Sequence, residues 1–92
     1  MRLSVEWDAG KAAENYRQHG VSFEEAVTVF YDPLSIYDPD HSADEQRYID
    51  TGTSEKGRGL VVSYTERGIN IRIISCREAT RRERRQHEKG VD

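Results

Sequence analysis

The residues of this sequence best suited to chemistry are arginines set among apolar strand positions. Arg72 interrupts an isoleucine run in which Ile69, Ile71 and Ile73 share one face and Asn70, Arg72 and Ile74 the other. The isoleucine face is expected to meet helices, leaving Arg72 on the open face of a sheet. An arginine in mid-strand costs burial energy unless it meets water or an anion. Two readings stand: an ion pair with a neighbouring strand's carboxylate, such as Glu45 or Asp50, or an anion site. Arg47 and Tyr48 are a second candidate pair, for phosphate contact and base stacking, since a guanidinium is a planar fork of donors that matches phosphate oxygens. Core packing is the alternative for Tyr48. Spacing does not decide whether Glu45, Arg47 and Ile49 or Gln46, Tyr48 and Asp50 form the buried set. A third cluster is the tail, where Arg77, Arg81, Arg82, Arg84, Arg85 and Lys89 fall close together. It reads either as an anion-binding stretch or as a solvated helix laced by Glu78, Glu83 and Glu88.

The histidines are scattered. His41 sits in an acidic loop and is a candidate general acid or base. His19 is expected at a helix C-terminus, bonding the last carbonyls near the negative end of the dipole. His87 falls in the polar tail and is expected to be inert. Cys76 has Arg77 beside it, which favours the thiolate. With no His or Asn near it in sequence, it reads as a small core residue. No phosphate-binding loop, dinucleotide fingerprint or metal-ligand cluster is present, so neither a metal nor another cofactor is expected. A lone cysteine excludes an internal disulfide framework.

Length and composition bound the rest. The chain has 92 residues, 35% hydrophobic and 34% charged, which predicts one domain with a lean core and room for a partner to cover more. No run approaches the roughly 20 apolar residues of a membrane span, and no signal segment follows Met1, so the cytosol is expected. The net charge of −3 hides a front of −7 over residues 1–66 and a tail of +4 over 67–92. An anionic partner is expected at the basic end. The acidic front and the lack of an aromatic ladder in the sequence argue against a stand-alone nucleic-acid-binding protein.

The elements that must position these residues read as follows. Leu3, Val5 and Trp7 alternate in a first strand. Asp8 caps a helix running to about His19, with Ala12, Ala13 and Tyr16 as its apolar stripe and Gly20 as its stop. Ser22 and Glu25 form a capping box before Phe23, Ala26, Val27 and Phe30, and Asp32-Pro33 ends that helix. Strands are expected at 34–37, 45–50, 60–65 and 69–75, with 38–44 and 51–57 as loops and Arg67-Gly68 as a hairpin turn. A polar helix follows from about Glu78 to Lys89, with Ser75/Glu78 and Thr80/Glu83 as rival capping boxes. The order predicts an α+β fold: two N-terminal helices on a mostly antiparallel sheet of about four strands, plus the tail helix, as one domain over 1–92.

Taken in order, the motifs resemble one family. Trp7-Asp8-x-x-Lys11, Asn15-x-x-x-His19-Gly20-Val21-x-Phe23-x-x-Ala26 and Phe30-x-Asp32-Pro33 are similar to the opening of the BrnT-type toxins of type II toxin–antitoxin systems. His41-Ser42-x-x-Glu45-x-Arg47-Tyr48, Gly52-x-Ser54, Val61-Val62-x-Tyr64-Thr65-Glu66-Arg67 and Ile71-Arg72-Ile73-Ile74-Ser75-x-Arg77-x-Ala79-Thr80 continue the pattern. Gln18, where a lysine is usual, and Cys76, where an alanine is usual, depart from it.

The resemblance implies a RelE-like fold and an endoribonuclease, ribosome-associated or free, that halts translation. It also implies a cognate antitoxin with a DNA-binding domain, in a complex expected to be two-by-two and to repress its own operon. RNA would be the substrate, and DNA would be met only through the antitoxin. On that footing Arg72 and Arg47 would neutralise the phosphate, with Arg77 assisting. Glu45 or His41 would be the base, Tyr48 would stack or orient a nucleobase, and Arg81 and Arg82 would hold the RNA backbone. The rival reading is a catalytically weak protein that serves only to bind the antitoxin in an operon-repressing complex.

Overall fold

The computed structural model describes residues 4–40 and 46–89. It orders eight elements: β1 (Ser4–Glu6), α1 (Ala9–His19), α2 (Phe23–Val29), β2 (Ile36–Asp40), β3 (Arg47–Thr53), β4 (Gly59–Arg67), β5 (Asn70–Glu78) and α3 (Arg81–Lys89). The sheet has five strands in the order β1-β5-β4-β3-β2. The expected four-strand meander is therefore joined by β1, which pairs in parallel with β5 while every other pair is antiparallel.

Local chemistry sets the helix ends. The Asp8 carboxylate accepts from the Lys11 amide at 2.9 Å, and Gly20, at φ 70°, donates its N–H back to the Tyr16 carbonyl. Ser22 Oγ accepts from the Glu25 amide at 3.1 Å, as one half of a capping box does. The other half is missing. The Glu25 carboxylate turns away from its own helix start and binds Ser54 and Arg58 across the fold.

The apolar stripe of α1 also differs from expectation. Ala12 packs against the core, but Ala13 and Tyr16 are exposed, and Asn15 is the buried residue of the helix. Asn15 Oδ1 accepts from the Cys76 N–H at 3.1 Å, while Nδ2 donates to the Cys76 and Val21 carbonyls at 2.9 and 3.0 Å. β1 pairs with β5 only from Asn70 to Arg72, so the side-chain amide takes the place of a strand on that edge of β5, whose other edge stays paired with β4.

The core is Val21, Phe23, Ala26, Val29, Leu60, Val62, Tyr64, Ile73 and Cys76, with Trp7 edge-on to Phe23 at 5.9 Å. Ile73 and Cys76 both face it although they are three apart. The register jumps from Ser63↔Ser75 to Tyr64↔Ile73, so Ile74 is an extra residue and the alternation restarts beyond it. Ile71 still packs inward, but Ile69 is 93% exposed in the turn before β5 and is not part of the isoleucine face.

Gly52 lets α2 approach β3. A β-carbon there would lie 2.9 Å from both the Asp32 carboxylate and Ser35 Cβ, and 3.1 Å from Val29. This glycine and its neighbours belong to β3, where a turn was expected. The turn itself is 54–58, closed by the Ser54 N–H donating to the Arg58 carbonyl at 2.8 Å. β2 starts later than expected and continues through Asp38, Pro39 and Asp40, which were expected to form a loop.

Between the rival starts of the tail helix, Thr80 and Glu83 win. Thr80 Oγ1 accepts from the Glu83 N–H at 3.2 Å, and Glu83 Oε1 accepts from the Thr80 N–H at 2.8 Å. Glu78 stays in β5. α3 buries no apolar stripe of its own and lies against the sheet through charge pairs, with Glu83 and Gln86 beside Ile49 and Thr51.

Candidate nucleic-acid interface

Strand alternation assigns the arginines to faces. Asp50 and Gly52 are buried on the helix side of β3 and Tyr48 packs there too, so Arg47, Ile49 and Thr51 point the other way. In β5 Ile71 and Ile73 face the helices, which leaves Arg72 on the same outer face as Arg47. Register joins the two. Glu6 pairs with Arg72 and Arg72 with Thr65, and Arg47 stands one residue before the Tyr48↔Tyr64 pair. Adjacent strands are about 4.8 Å apart, so the backbones carrying Arg72 and Arg47 are about 10 Å apart on either side of β4. An extended arginine side chain spans more than half of that gap, although Arg47 Nε is buried and Arg47 is already engaged within the fold.

Among the described residues Arg72 has an acidic neighbour, Glu6 on β1. Its Nη1 donates to Glu6 Oε2 at 3.0 Å, and Asn70 supports the other carboxylate oxygen at 3.4 Å. Asp50 is on the opposite face. Arg72 and Glu6 are 29% and 38% exposed at their side chains. An ion pair this exposed contributes at most about 1 kcal/mol, so a phosphate can compete with Glu6.

Arg77 is more tightly held. Its Nη1 and Nη2 donate to the two Glu83 oxygens at 2.8 and 2.9 Å. The fork, helped by the Thr80 N–H, pulls the Glu83 carboxyl down to about 2. This guanidinium anchors α3 to the sheet, and its side chain stays 44% exposed. The expected salt bridging of the tail is found here. Arg81 and Arg82 are exposed on α3. His41 and Glu45, the expected acid–base candidates, lie outside the described residues.

Tyr48 does not offer a free ring face. It is stacked between Tyr37 at 5.2 Å and Tyr64 at 5.7 Å, and Phe30 meets Tyr64 edge-on. An aromatic ladder thus exists, contrary to the sequence reading, assembled from three strands. It lies on the helix side, and its open end is Tyr37, 51% exposed on the edge strand.

His87 is the group that sequence reasoning missed. It is largely buried, and its Nε2 sits 3.1 Å from Asp32 Oδ2. Burial opposes ionisation of Asp32, but the amides of Thr53 and Leu34 and the His87 ring together hold its carboxyl below the usual range. No local signal points to this pair, since its members are 55 positions apart. The adjoining cleft of about 440 Å³ contains Arg58, Arg84 and His87 but also Glu78 and Glu88, so it has no clear anionic preference. A larger cleft of about 510 Å³, lined by Thr28, Tyr31, Asp32, Thr53, Ser54 and Glu55, contains no cation.

His19 ends α1 exposed, and Cys76 is fully buried, its thiol pushed up to about 12 by burial despite Arg77. It is a core residue. Among the described residues no three His, Cys, Asp or Glu side chains are grouped to hold a metal ion. No helix there is long and apolar enough to cross a membrane.

Comparison with known proteins agrees with the motif order. A family model described as the ribonuclease toxin BrnT of type II toxin–antitoxin systems matches residues 7–83. Among solved structures, the 1.1 Å crystal structure of the Brucella abortus ribonuclease toxin BrnT is similar, with a TM-score of 0.70. The two are 22% identical, and the match covers 87% of this chain and 100% of that one. No curated protein matches the chain.

Proposed function

The chain belongs to the BrnT family of ribonuclease toxins of type II toxin–antitoxin systems, and from that premise we propose that it is an endoribonuclease that holds the scissile phosphate between Arg72 and Arg47. The observation that carries the reading is that these two arginines share one sheet face and flank the same strand. A family of this type implies a protein antitoxin as partner. In our reading the partner carries a DNA-binding domain, neutralises the toxin in a two-by-two complex and represses the operon with it.

RNA brings its own nucleophile. The 2′-hydroxyl attacks the adjacent phosphorus as its proton passes to a base. The bond to the 5′ oxygen breaks, and that oxygen takes up a proton. The product ends are a cyclic 2′,3′-phosphate and a 5′-hydroxyl. Negative charge grows on the non-bridging oxygens, where two guanidinium groups stabilise it more than they stabilise the ground state. Glu45 and His41 remain our candidates for the base, Arg81 and Arg82 for the RNA backbone. Cleaving messenger RNA in this way would halt translation.

Arg72→Ala is the test. It should lower RNA cleavage by about 100- to 1000-fold and abolish growth arrest while antitoxin binding persists. A variant as toxic as the parent removes Arg72 from the mechanism. One observation favours a second reading, a catalytically weak protein that serves only to bind its antitoxin: Arg72 and Arg77 are each matched by a carboxylate of their own chain. Expression of the chain alone separates the two, because harmless expression with intact RNA supports the binding role.

A further inference from the structure

We propose that the Thr65 hydroxyl is a third phosphate contact, donating to a non-bridging oxygen of the RNA held between Arg72 and Arg47. The inference rests on the ribonuclease reading and extends it to a residue with no other role. Thr65 is the register partner of Arg72, on the outer face, in the strand that separates the two arginines. It is 8% exposed, and among the described residues its Oγ1 is buried without a hydrogen-bond partner. A dry, unsatisfied hydroxyl is costly to a folded chain. Valine has the same shape and suits a strand equally well, so packing alone gives no reason for the oxygen.

Other unsatisfied groups do not compete for this role. Asp50 Oδ1 is also unpaired, but it lies on the helix side beneath the tyrosine row, where burial raises its carboxyl. Thr65 is different because its neighbour can move. Among the described residues Arg72 is held by a single part-buried ion pair, to Glu6. When the guanidinium turns from Glu6 to a phosphate, the anion comes to lie over β4. The hydroxyl then gains the charged acceptor it lacks in the free protein. Such a bond needs the side chains that now bury the hydroxyl to move aside, while the strand keeps the Cβ in place.

The experiment compares Thr65→Val, Thr65→Ser and Arg72→Ala in the full chain, with single-turnover cleavage of a short RNA and thermal melting as readouts. Thr65→Val should cleave about 10- to 100-fold more slowly, as expected for losing a hydrogen bond to a charged group. It should melt no lower than the parent, because it removes an unpaired polar group. Thr65→Ser should restore most of the rate. Thr65→Val cleaving at the parental rate while Arg72→Ala is inactive overturns the Thr65 assignment alone. So does a Thr65→Val melting point several degrees below the parent's, which would reveal a structural partner for the hydroxyl. Full cleavage by Arg72→Ala instead overturns the phosphate site on which the assignment rests.

Discussion

Arg58→Met tests the charge staple between α2 and the β3–β4 turn. Glu25 is 2% exposed at its side chain and Arg58 32%. Arg58 Nε donates to Glu25 Oε2 at 3.0 Å, its Nη2 reaches the other oxygen and the Gly20 carbonyl, and Ser54 Oγ donates to Oε2 at 2.7 Å. The pair ties the β3–β4 turn to α2 and to the end of α1. Methionine keeps the aliphatic packing and leaves the carboxylate with Ser54 alone. Stranding a fully buried charge costs about 3–5 kcal/mol. With a third of the Arg58 side chain exposed, water reaches the vacated position, so about 2–3 kcal/mol is expected. For a domain of this size that lowers the melting temperature by about 10–20 °C.

The sign of the pH dependence separates this cause from simple loss of packing. In the parent, Arg58 holds the Glu25 carboxyl below its ordinary 4.5, outweighing burial. Glu25 therefore stabilises the parent above that value, and the contribution is lost as pH falls through the lower, folded one. In the variant, burial dominates and the folded value rises above the unfolded one. The variant then gains stability as pH falls from 7 towards 4.5, while the parent gains none from this group. Circular-dichroism melts at pH 7 and pH 5 should show the gap narrowing. A gap that is equal at both pH values, or below about 1 kcal/mol at pH 7, refutes the buried-charge reasoning.

Three further outcomes follow from other contacts. Asn15→Ala removes the bonds to Cys76 and Val21 and should cost about 3 kcal/mol, read as a lower urea midpoint with an unchanged slope; an unchanged midpoint would mean the amide is not replacing a strand. Glu83 should titrate by NMR with a midpoint of about 2, so its stabilisation is present above the ordinary 4.5 and fades as pH falls towards 2. Arg77→Ala should return that midpoint towards 4.5, and a parental midpoint already there would show that α3 is not anchored by this pair. Cys76, buried and with its thiol raised to about 12, should resist a thiol reagent in the native chain at pH 8 and react readily once unfolded, and prompt native labelling would contradict the buried assignment.

Much of the fold was legible in the sequence because it depends on near neighbours. Asp8, Gly20 and Ser22 mark helix ends through contacts no more than four residues away. The apolar positions of α2 and the alternation of β4 give the period of each element. The ordered motifs also name the family, although no single one of them is distinctive. Asn15 in α1, Ile74 in β5 and Glu25 in its capping box broke the local pattern, and each break has a distant cause. Asn15 is buried because Cys76, 61 positions away, is paired with β4 on one side but lies beyond the end of β1 on the other. Glu25 abandons its own helix for Arg58, 33 positions away.

The candidate site shows the same division. Sequence alone picked out Arg72 and Arg47 as cations in strands. It could not say that they flank β4, that Arg72 rests on Glu6 66 positions away, or that Arg77 is claimed by α3. Nor could it bring His87 to Asp32 or stack three tyrosines from three strands. Spacing along a chain reports which residues share a face of one element. Which charge meets which depends on strand order, register and one bulge, and those are settled only when the whole sheet closes around its core.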